Sequence, residues 1–385
     1  MKTVRSLRNL ENVPVLVRAA LNVPVEGGKV ANTFRLRRAL PTIHYLQKRD
    51  ARVILIGHLG DSGTESLLPV VEALREWIPD IQYVPVSTGA EVHRAVGELL
   101  PGKVLVLENL RRHKGEKEND SSFAKSLASL ATYFVQDSFD VCHREHASVV
   151  GVPKFLPSVA GFLVEEEVKA LTKALRPKKP SLAIIGGAKF STKEPVVKTL
   201  LKRYDKVFVG GALGNDFIGA LGFGVGKSLV SHAEPIAIQK LLKNKHLSAP
   251  LDVITAVPGT KTGIGTSREL SDIPLDEAIL DDGPKTVTFL TRTIGKAGTV
   301  LWNGPLGNYE NGFTESTKKL AKAIAQSKAI SIVGGGDTVA AIEELHLEKG
   351  ISFISTGGGA MLDFLAHGTL PGLQALGHKK ARRLW

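Results

Sequence analysis

The chain has a single cysteine in 385 residues, Cys142, so no disulfide can form within it and its fold needs no oxidising compartment. Nothing near Cys142 in sequence activates a thiol, and it reads as structural rather than nucleophilic. No apolar run reaches the roughly 18 residues needed to span a bilayer. The opening MKTVRSLRNLENVP is polar and carries no hydrophobic leader core. The expected location is cytoplasmic, with no membrane partner. Aromatic residues make up only 6%, and the one dense basic run is His378–Arg383. The formal net charge of +12 therefore lacks the interleaved bases and aromatics of a nucleic-acid surface. It fits a site for small polyanions better, with the tail as a solvated end. Two nucleotide fingerprints are missing as well. GFGVGKS (222–228) resembles a P-loop, but Leu221 stands where the first glycine belongs, and no G-x-G-x-x-G follows the first strand of either half. This excludes a P-loop NTPase and an ordinary dinucleotide dehydrogenase.

What remains is an ordinary globular balance, 43% hydrophobic and 23% charged, in a length that suits roughly two or three domains. Short β-rich runs alternate with helical patterns. Strands are expected at Val13–Arg18, Arg52–Gly57, Ile81–Val86, Val104–Glu108 and Tyr133–Asp137. In the second half they fall at Leu182–Ile185, Lys206–Val209, Asp252–Ala256, Thr299–Trp302, Ile330–Val333 and Ile351–Ser355. Helices are expected between them, among others at Arg35–Lys48, Leu67–Trp77, Pro195–Arg203, Ala233–Lys243 and Glu315–Gln326. The alternation predicts an α/β fold of doubly wound, Rossmann-like parallel sheets in three α/β/α layers. Gly161–Leu175 reads as a bridging helix, and the RPKKP after it as a linker.

Five times in the second half an apolar strand runs into glycine: AIIGGAK (183–189), VFVGGAL (207–213), VLWNGP (300–305), SIVGGGDT (331–338) and FISTGGGA (353–360). In open parallel sheets ligands sit beyond the carboxyl ends of the strands. Glycine there lets backbone N–H groups approach phosphate oxygens, and a following helix adds its positive end. Lys189 and Lys193, four apart, form either a phosphate-binding pair or a solvated one. Asp337 is either a Mg²⁺ ligand or a helix N-cap, and the two roles are compatible.

These motifs in this order resemble the phosphoglycerate kinase family, over about Val13 to Gly372. The specific stretches are GGAK-x-S-x-K (186–193), WNGP-x-G-x-x-E (302–310), GGGDT (334–338) and STGGGA (355–360). The first half adds VR-x-x-x-NVP (17–24), R-x-R-x-ALPTI (35–43), HLG (58–60), LEN-x-R (107–111) and D-x-F…HR-x-H (137–146). The resemblance implies two domains joined by a helix and hinge that close across a cleft. The boundaries are 1–156 for the 3-phosphoglycerate domain, 157–176 for the helix and linker, and 177–369 for the nucleotide domain. Residues 370–385 are expected to return to the first domain. The resemblance further implies a monomer in glycolysis, with Mg²⁺ and ADP or ATP. Its catalytic residues would be Arg35, Lys189 and the backbone of Gly357, Gly358 and Gly359. Substrate would be held by Asn22, Arg35, His58, Gly60, Arg111, His143 and Arg144, with His146 nearby. The nucleotide would meet Gly187, Ala188, Lys189, Lys193, Gly211, Asn303, Pro305, Glu310, Gly335, Gly336, Asp337 and Thr338, and the metal Asp337. Taken singly, His58 could be a satisfied core residue, and Arg111 or Arg144 plain surface charges.

The departures from the family pattern cluster at the substrate site, with smaller changes at Arg112, Asp140, Glu145 and Phe353 and two larger ones. Where the family carries an aspartate this chain has Ala20, and where it carries an arginine this chain has Asp61. By resemblance the aspartate accepts a hydrogen bond from the substrate hydroxyl and the arginine touches its anionic end. Arg112 or Arg37 is a candidate to restore the positive charge. The alternatives are a same-fold kinase for another phosphorylated carboxylate, a binding protein without turnover, and a nucleic-acid binder resting on charge alone.

Overall fold

The segment Pro14–Ala19 (β1) is apolar except at Arg18 and buried along nearly its whole length, as a strand covered on both faces must be. Its side chains alternate between two cores. Val15, Val17 and Ala19 enter one, and Leu16 enters the other. The helix Phe34–Gln47 joins the first core through Leu36, Ala39, Ile43 and Leu46, a stripe at the helical repeat. The structure is a computed structural model that describes residues 1–188, 190–231 and 235–379.

Val25–Glu26 (β2) and Lys29–Val30 (β3) form a small antiparallel hairpin. Arg52–Ile56 (β4), Gln82–Val84 (β5), Val104–Leu107 (β6), Tyr133–Asp137 (β7) and Ser158–Ala160 (β8) join β1 in a six-stranded sheet, ordered β5-β6-β4-β1-β7-β8. Every pairing in it is parallel. The second sheet takes Ser181–Ile185 (β9), Lys206–Val209 (β10) and Leu247–Ser248 (β11) from one stretch of chain. Asp252–Ala256 (β12), Thr266–Glu269 (β13) and Ala278–Asp282 (β14) come next but form their own sheet, before Thr299–Asn303 (β15), Ile330–Gly334 (β16) and Phe353–Ile354 (β17) complete the second. Its order is β11-β10-β9-β15-β16-β17, again all parallel.

The two parallel sheets stand as the alternation predicts, but one strand does not belong to them. Asp252–Ala256 is the centre of an antiparallel sheet, β13-β12-β14. No helix separates β12 from β13, and only the short 3-10 turn Leu270–Asp272 separates β13 from β14; parallel pairing needs a crossover of a dozen or more residues, usually an α-helix. The helix expected from Pro195 begins at Phe190, with Pro195 inside it. The helix expected from Ala233 is described from Pro235 to Leu242; its expected start lies outside the described residues. Helices at Ala212–Ala220 and Pro284–Ile294 are additional.

The chain divides into two compact units: Met1–Lys169 with Thr369 onward, and Ala170–Gly368. The division falls within the helix Phe162–Ala174. In the first unit, Asp137 at the end of β7 holds this helix by accepting from the Leu163 amide at 2.9 Å. The last segment joins the first unit, where the Gly372 amide donates to the Cys142 carbonyl at 2.8 Å. In the second unit the strand order reverses between β9 and β15, which opens a crevice at their carboxyl ends.

Candidate active site

In the first unit, arginines and histidines gather at the carboxyl ends of β1, β4, β6 and β7. Arg18, the one charged residue of β1, is 1% exposed. A buried guanidinium is costly unless each of its N–H groups finds a partner. Here Nε donates to Ser148 Oγ at 2.9 Å, Nη1 to the Ala19 carbonyl at 3.0 Å, and Nη2 meets His58 Nδ1 at 3.0 Å. A guanidinium has only donors, so His58 Nδ1 accepts and the ring carries its proton on Nε2. Burial, then the charges of Arg18, Arg111 and Arg144, hold His58 well below the usual histidine range. The imidazole is thus a neutral donor in a positive field.

Ser148 passes the contact inward. Its hydroxyl donates to Glu116 Oε1 at 2.6 Å, and its amide donates to Oε2 at 3.0 Å. Glu116 is fully buried. His146 Nδ1 lies 3.8 Å from the same carboxylate, too far for a hydrogen bond. Burial, followed by Arg111 and Arg144, pushes His146 down to about 4, so it faces Glu116 uncharged. Sequence reading overlooks Arg18, Glu116 and Ser148. An arginine inside an otherwise apolar strand was the available signal for the first. Glu116 and Ser148 meet only through the tertiary fold.

Asn22 follows β1, and its Oδ1 accepts from the Gly60 amide at 3.0 Å, while Arg35 Nη1 donates to the Asn22 carbonyl at 2.6 Å. These three residues line a recess of about 390 Å³ together with Glu65. His58, Arg111 and Arg144 share one electrostatic neighbourhood. His143 and Arg144 follow β7 and are half-buried. Arg111 pairs with Asp61. Arg112, a candidate to replace the missing cation, is committed elsewhere: its guanidinium meets Glu108 at 3.0 Å and the Thr64 carbonyl at 3.1 Å. Arg37 is exposed on the helix Phe34–Gln47. Ala20 is fully buried. So is Cys142, and burial raises its thiol well above the usual range, which suits a packed side chain rather than a nucleophile.

In the second unit the glycine turns meet at the reversal between β9 and β15. The Gly186 amide donates to the Asn303 carbonyl at 2.8 Å, and Gly187 to that of Pro305 at 3.2 Å. Trp302 Nε1 donates to the Gly304 carbonyl at 2.8 Å and fixes the WNGP corner. Gly211 packs against the Pro305 carbonyl and the Gly187 amide. Lys193 reaches this corner from the helix Phe190–Leu200, with Nζ 3.4 Å from Asn303 Oδ1. Burial lowers the Lys193 ammonium to about 8. Ala188 is half-buried beside it. Lys189 lies outside the described residues.

Gly335, at φ +107°, adopts a backbone that side chains strongly disfavour, and it turns the chain from β16 into the helix Gly336–Glu344. Thr338, fully buried in the first turn, accepts from the Gly304 amide at 3.1 Å and ties the two glycine turns together. Asp337 stands half-buried in the same turn. Burial, then the charge of Glu310, raises its carboxyl. Glu310 itself is exposed. Gly357 precedes the helix Gly358–His367, and Gly358 packs against Gly335 while its carbonyl lies 3.4 Å from Asn303 Nδ2. Gly359 is exposed in the first turn. Apart from Lys189, the nominated residues of this unit therefore share one end of one sheet. GFGVGKS follows a helix rather than a strand, unlike a P-loop.

A carboxylate near phosphate-ready amides suits Mg²⁺, which takes one or two carboxylates and keeps water and phosphate for the rest. A carboxyl raised by burial and a like charge is the kind of group a divalent cation relieves, so Asp337 fits that role.

A parallel α/β fold with glycine turns at a sheet reversal in one unit and buried arginines at strand ends in the other suits a phosphotransferase. A family model described as phosphoglycerate kinase matches residues 4–368. The phosphoglycerate kinase of Moorella thermoacetica is 41% identical over 389 residues, covering 97% of this chain and 99% of that one. That of Rubrobacter xylanophilus is 43% identical over 384 residues, covering 97% and 98%. The phosphoglycerate kinase structure from Coxiella burnetii superposes with a TM-score of 0.82 at 37% identity, covering 98% of this chain and 99% of that one. The one from Pyrococcus horikoshii gives 0.88 at 30%, covering 98% of each. The chain belongs to the phosphoglycerate kinase family.

Proposed function

We propose that the chain carries out reversible, Mg²⁺-dependent phosphoryl transfer between ATP and the carboxylate of 3-phosphoglycerate, giving ADP and 1,3-bisphosphoglycerate, as a cytoplasmic monomer in glycolysis. The observation that supports this best is at the sheet reversal of the second unit, where Lys193 reaches Asn303 and Thr338, the neighbour of Asp337, holds the Gly304 amide. Among the described residues no helix is long and apolar enough to cross a membrane.

The reaction forms a bond from a substrate carboxylate oxygen to the terminal phosphorus and breaks that phosphorus's bond to ADP. Little covalent work falls to the protein, so positioning and charge neutralisation carry the rate. In this reading Asn22, Gly60, Arg111, His143 and Arg144 hold the substrate, and His58 offers its Nε2 proton to an anionic oxygen. Gly187, Ala188, Gly211, Asn303 and Pro305 shape the nucleotide pocket, Glu310 holds the ribose, and Lys193 meets the phosphates with Gly335, Gly336 and Thr338. Asp337 would hold Mg²⁺, directly or through water, and the ion when bound neutralises phosphate charge. Arg35, Lys189 and the amides of Gly357, Gly358 and Gly359 stabilise the transferring group.

The test is a coupled assay with 3-phosphoglycerate and ATP on wild type and Lys189→Ala. Loss of one such stabilising group should lower kcat by about 10²–10³. Undiminished Lys189→Ala activity would overturn the site assignment, and an inactive wild type would overturn the function.

A further inference from the structure

The loop after β4 lays an exposed carboxylate on a buried cation. The Asp61 side chain is 85% exposed and that of Arg111 is 1% exposed. Arg111 Nη1 donates to Asp61 Oδ1 and to the Gly60 carbonyl. Its Nε and Nη2 have no partner among the described residues. Two contacts hold the Asp61 backbone in place. Lys117 Nζ donates to the Asp61 carbonyl. Gly63, at φ +84°, lies so close to the Arg111 carbonyl that any Cβ would collide with it. The pairing is therefore built by the loop and is not a chance meeting of long side chains. Arg111 faces Arg144 and the carboxylate of Glu116, and it acts on His58 and His146. Asp61 thus sits at the open edge of a cluster dominated by positive charge. It stands where, by resemblance, another cation is expected.

We propose that Asp61 is a tethered counter-ion that occupies the anion position of Arg111 and sets the affinity of the first unit for a phosphate-bearing ligand. A phosphate dianion offers more acceptor oxygens and more charge than a carboxylate, so it displaces Asp61 from the guanidinium fork. The displaced side chain, already mostly in water, gives up little. Each binding event carries the cost of breaking this pair, so position 61 tunes affinity without touching the reacting atoms. The identity of the ligand as 3-phosphoglycerate rests on the function proposed above; competition between Asp61 and phosphate for Arg111 does not.

Asp61→Asn keeps the shape and removes the charge, and Asp61→Arg reverses it. The KM for 3-phosphoglycerate should fall about fivefold in Asp61→Asn and further in Asp61→Arg. The KM for ATP should stay constant, and kcat should stay within about twofold. Inorganic phosphate titrated calorimetrically into the full chain should bind more tightly in the same order. Phosphate affinity unchanged or weakened in both variants overturns the counter-ion, whatever the enzyme does. Tighter phosphate binding in a chain whose wild type transfers no phosphoryl group upholds the counter-ion and overturns the kinase reading.

Discussion

Replacing Glu116 with glutamine exchanges a buried carboxylate for a neutral amide of almost the same shape. In the native first unit both carboxylate oxygens accept from Ser148, one from the amide and one from the hydroxyl, and the hydroxyl oxygen in turn accepts from Arg18 Nε. Glutamine keeps only one acceptor. If its NH₂ faces the serine hydroxyl, that hydroxyl receives two donors and its own proton has no acceptor. If it faces the Ser148 amide, two donors oppose each other. Either way one charge-assisted hydrogen bond is lost, worth about 1.5–3 kcal/mol. Arg18 also loses part of its compensating charge. Removing one partner of a direct buried pair costs about 3–5 kcal/mol. The hydroxyl between Glu116 and Arg18 places this case at the low end, near about 3 kcal/mol. For a unit of this size that corresponds to a fall in Tm of about 6–12 °C. Calorimetry of the full chain can follow the transition of the first unit while that of the second serves as a control. Ser148→Ala should cost about 2 kcal/mol, and the double variant little more than Glu116→Gln alone, because both cut the same chain of bonds. A Tm within about 2 °C of wild type, or strictly additive losses, would refute the network.

Two pH dependences follow from burial. Lys193 holds its proton only to about 8, whereas an unfolded lysine holds it to 10.5. Between those values the unfolded chain binds the extra proton, so stability rises with pH through that window and the charged form is a burden below it. Lys193→Met should therefore stabilise the second unit at pH 7 by about 2 kcal/mol and weaken ATP binding, as denaturant midpoints and nucleotide titration would read out. His146 has the acid counterpart. Its folded value is about 4 against an ordinary 6.5, so the unfolded chain takes up the proton first. Stability of the first unit should fall as pH drops from about 6.5 to about 4, and His146→Asn should flatten that slope in urea midpoints measured across the range.

The parallel sheets were legible because their strands are short, apolar and separated by helical stretches, as in PVLVRA and SLAII. The antiparallel sheet was not. TSRE at β13 is polar and mostly exposed, and β13 follows β12 in sequence without a helix between them. The helix Pro284–Ile294 did carry its signal, a proline in the first turn and buried Val287, Leu290 and Ile294 at helical spacing. Glycine turns pointed to one end of the second sheet because a glycine requirement is written into the local sequence. The first unit's site was legible only where a motif named it. The partners that orient His58 come from three distant segments, and the sequence around Ser148 or Glu116 bears no mark of it. The fate of Arg111 was also hidden, since its partner lies 50 positions away.

The strap from Thr369 onward makes the first unit discontinuous, and that has a consequence for the order in which the molecule can be finished. As the chain is made, Pro14 to Ala160 supply all six strands of the first sheet, yet the Cys142 carbonyl waits for the Gly372 amide until the whole second unit has emerged. The unit made first is thus completed last. Until then its edge near the cation cluster is an unsealed seam, while the second unit, continuous from Ala170 to Gly368, waits for no later segment of chain.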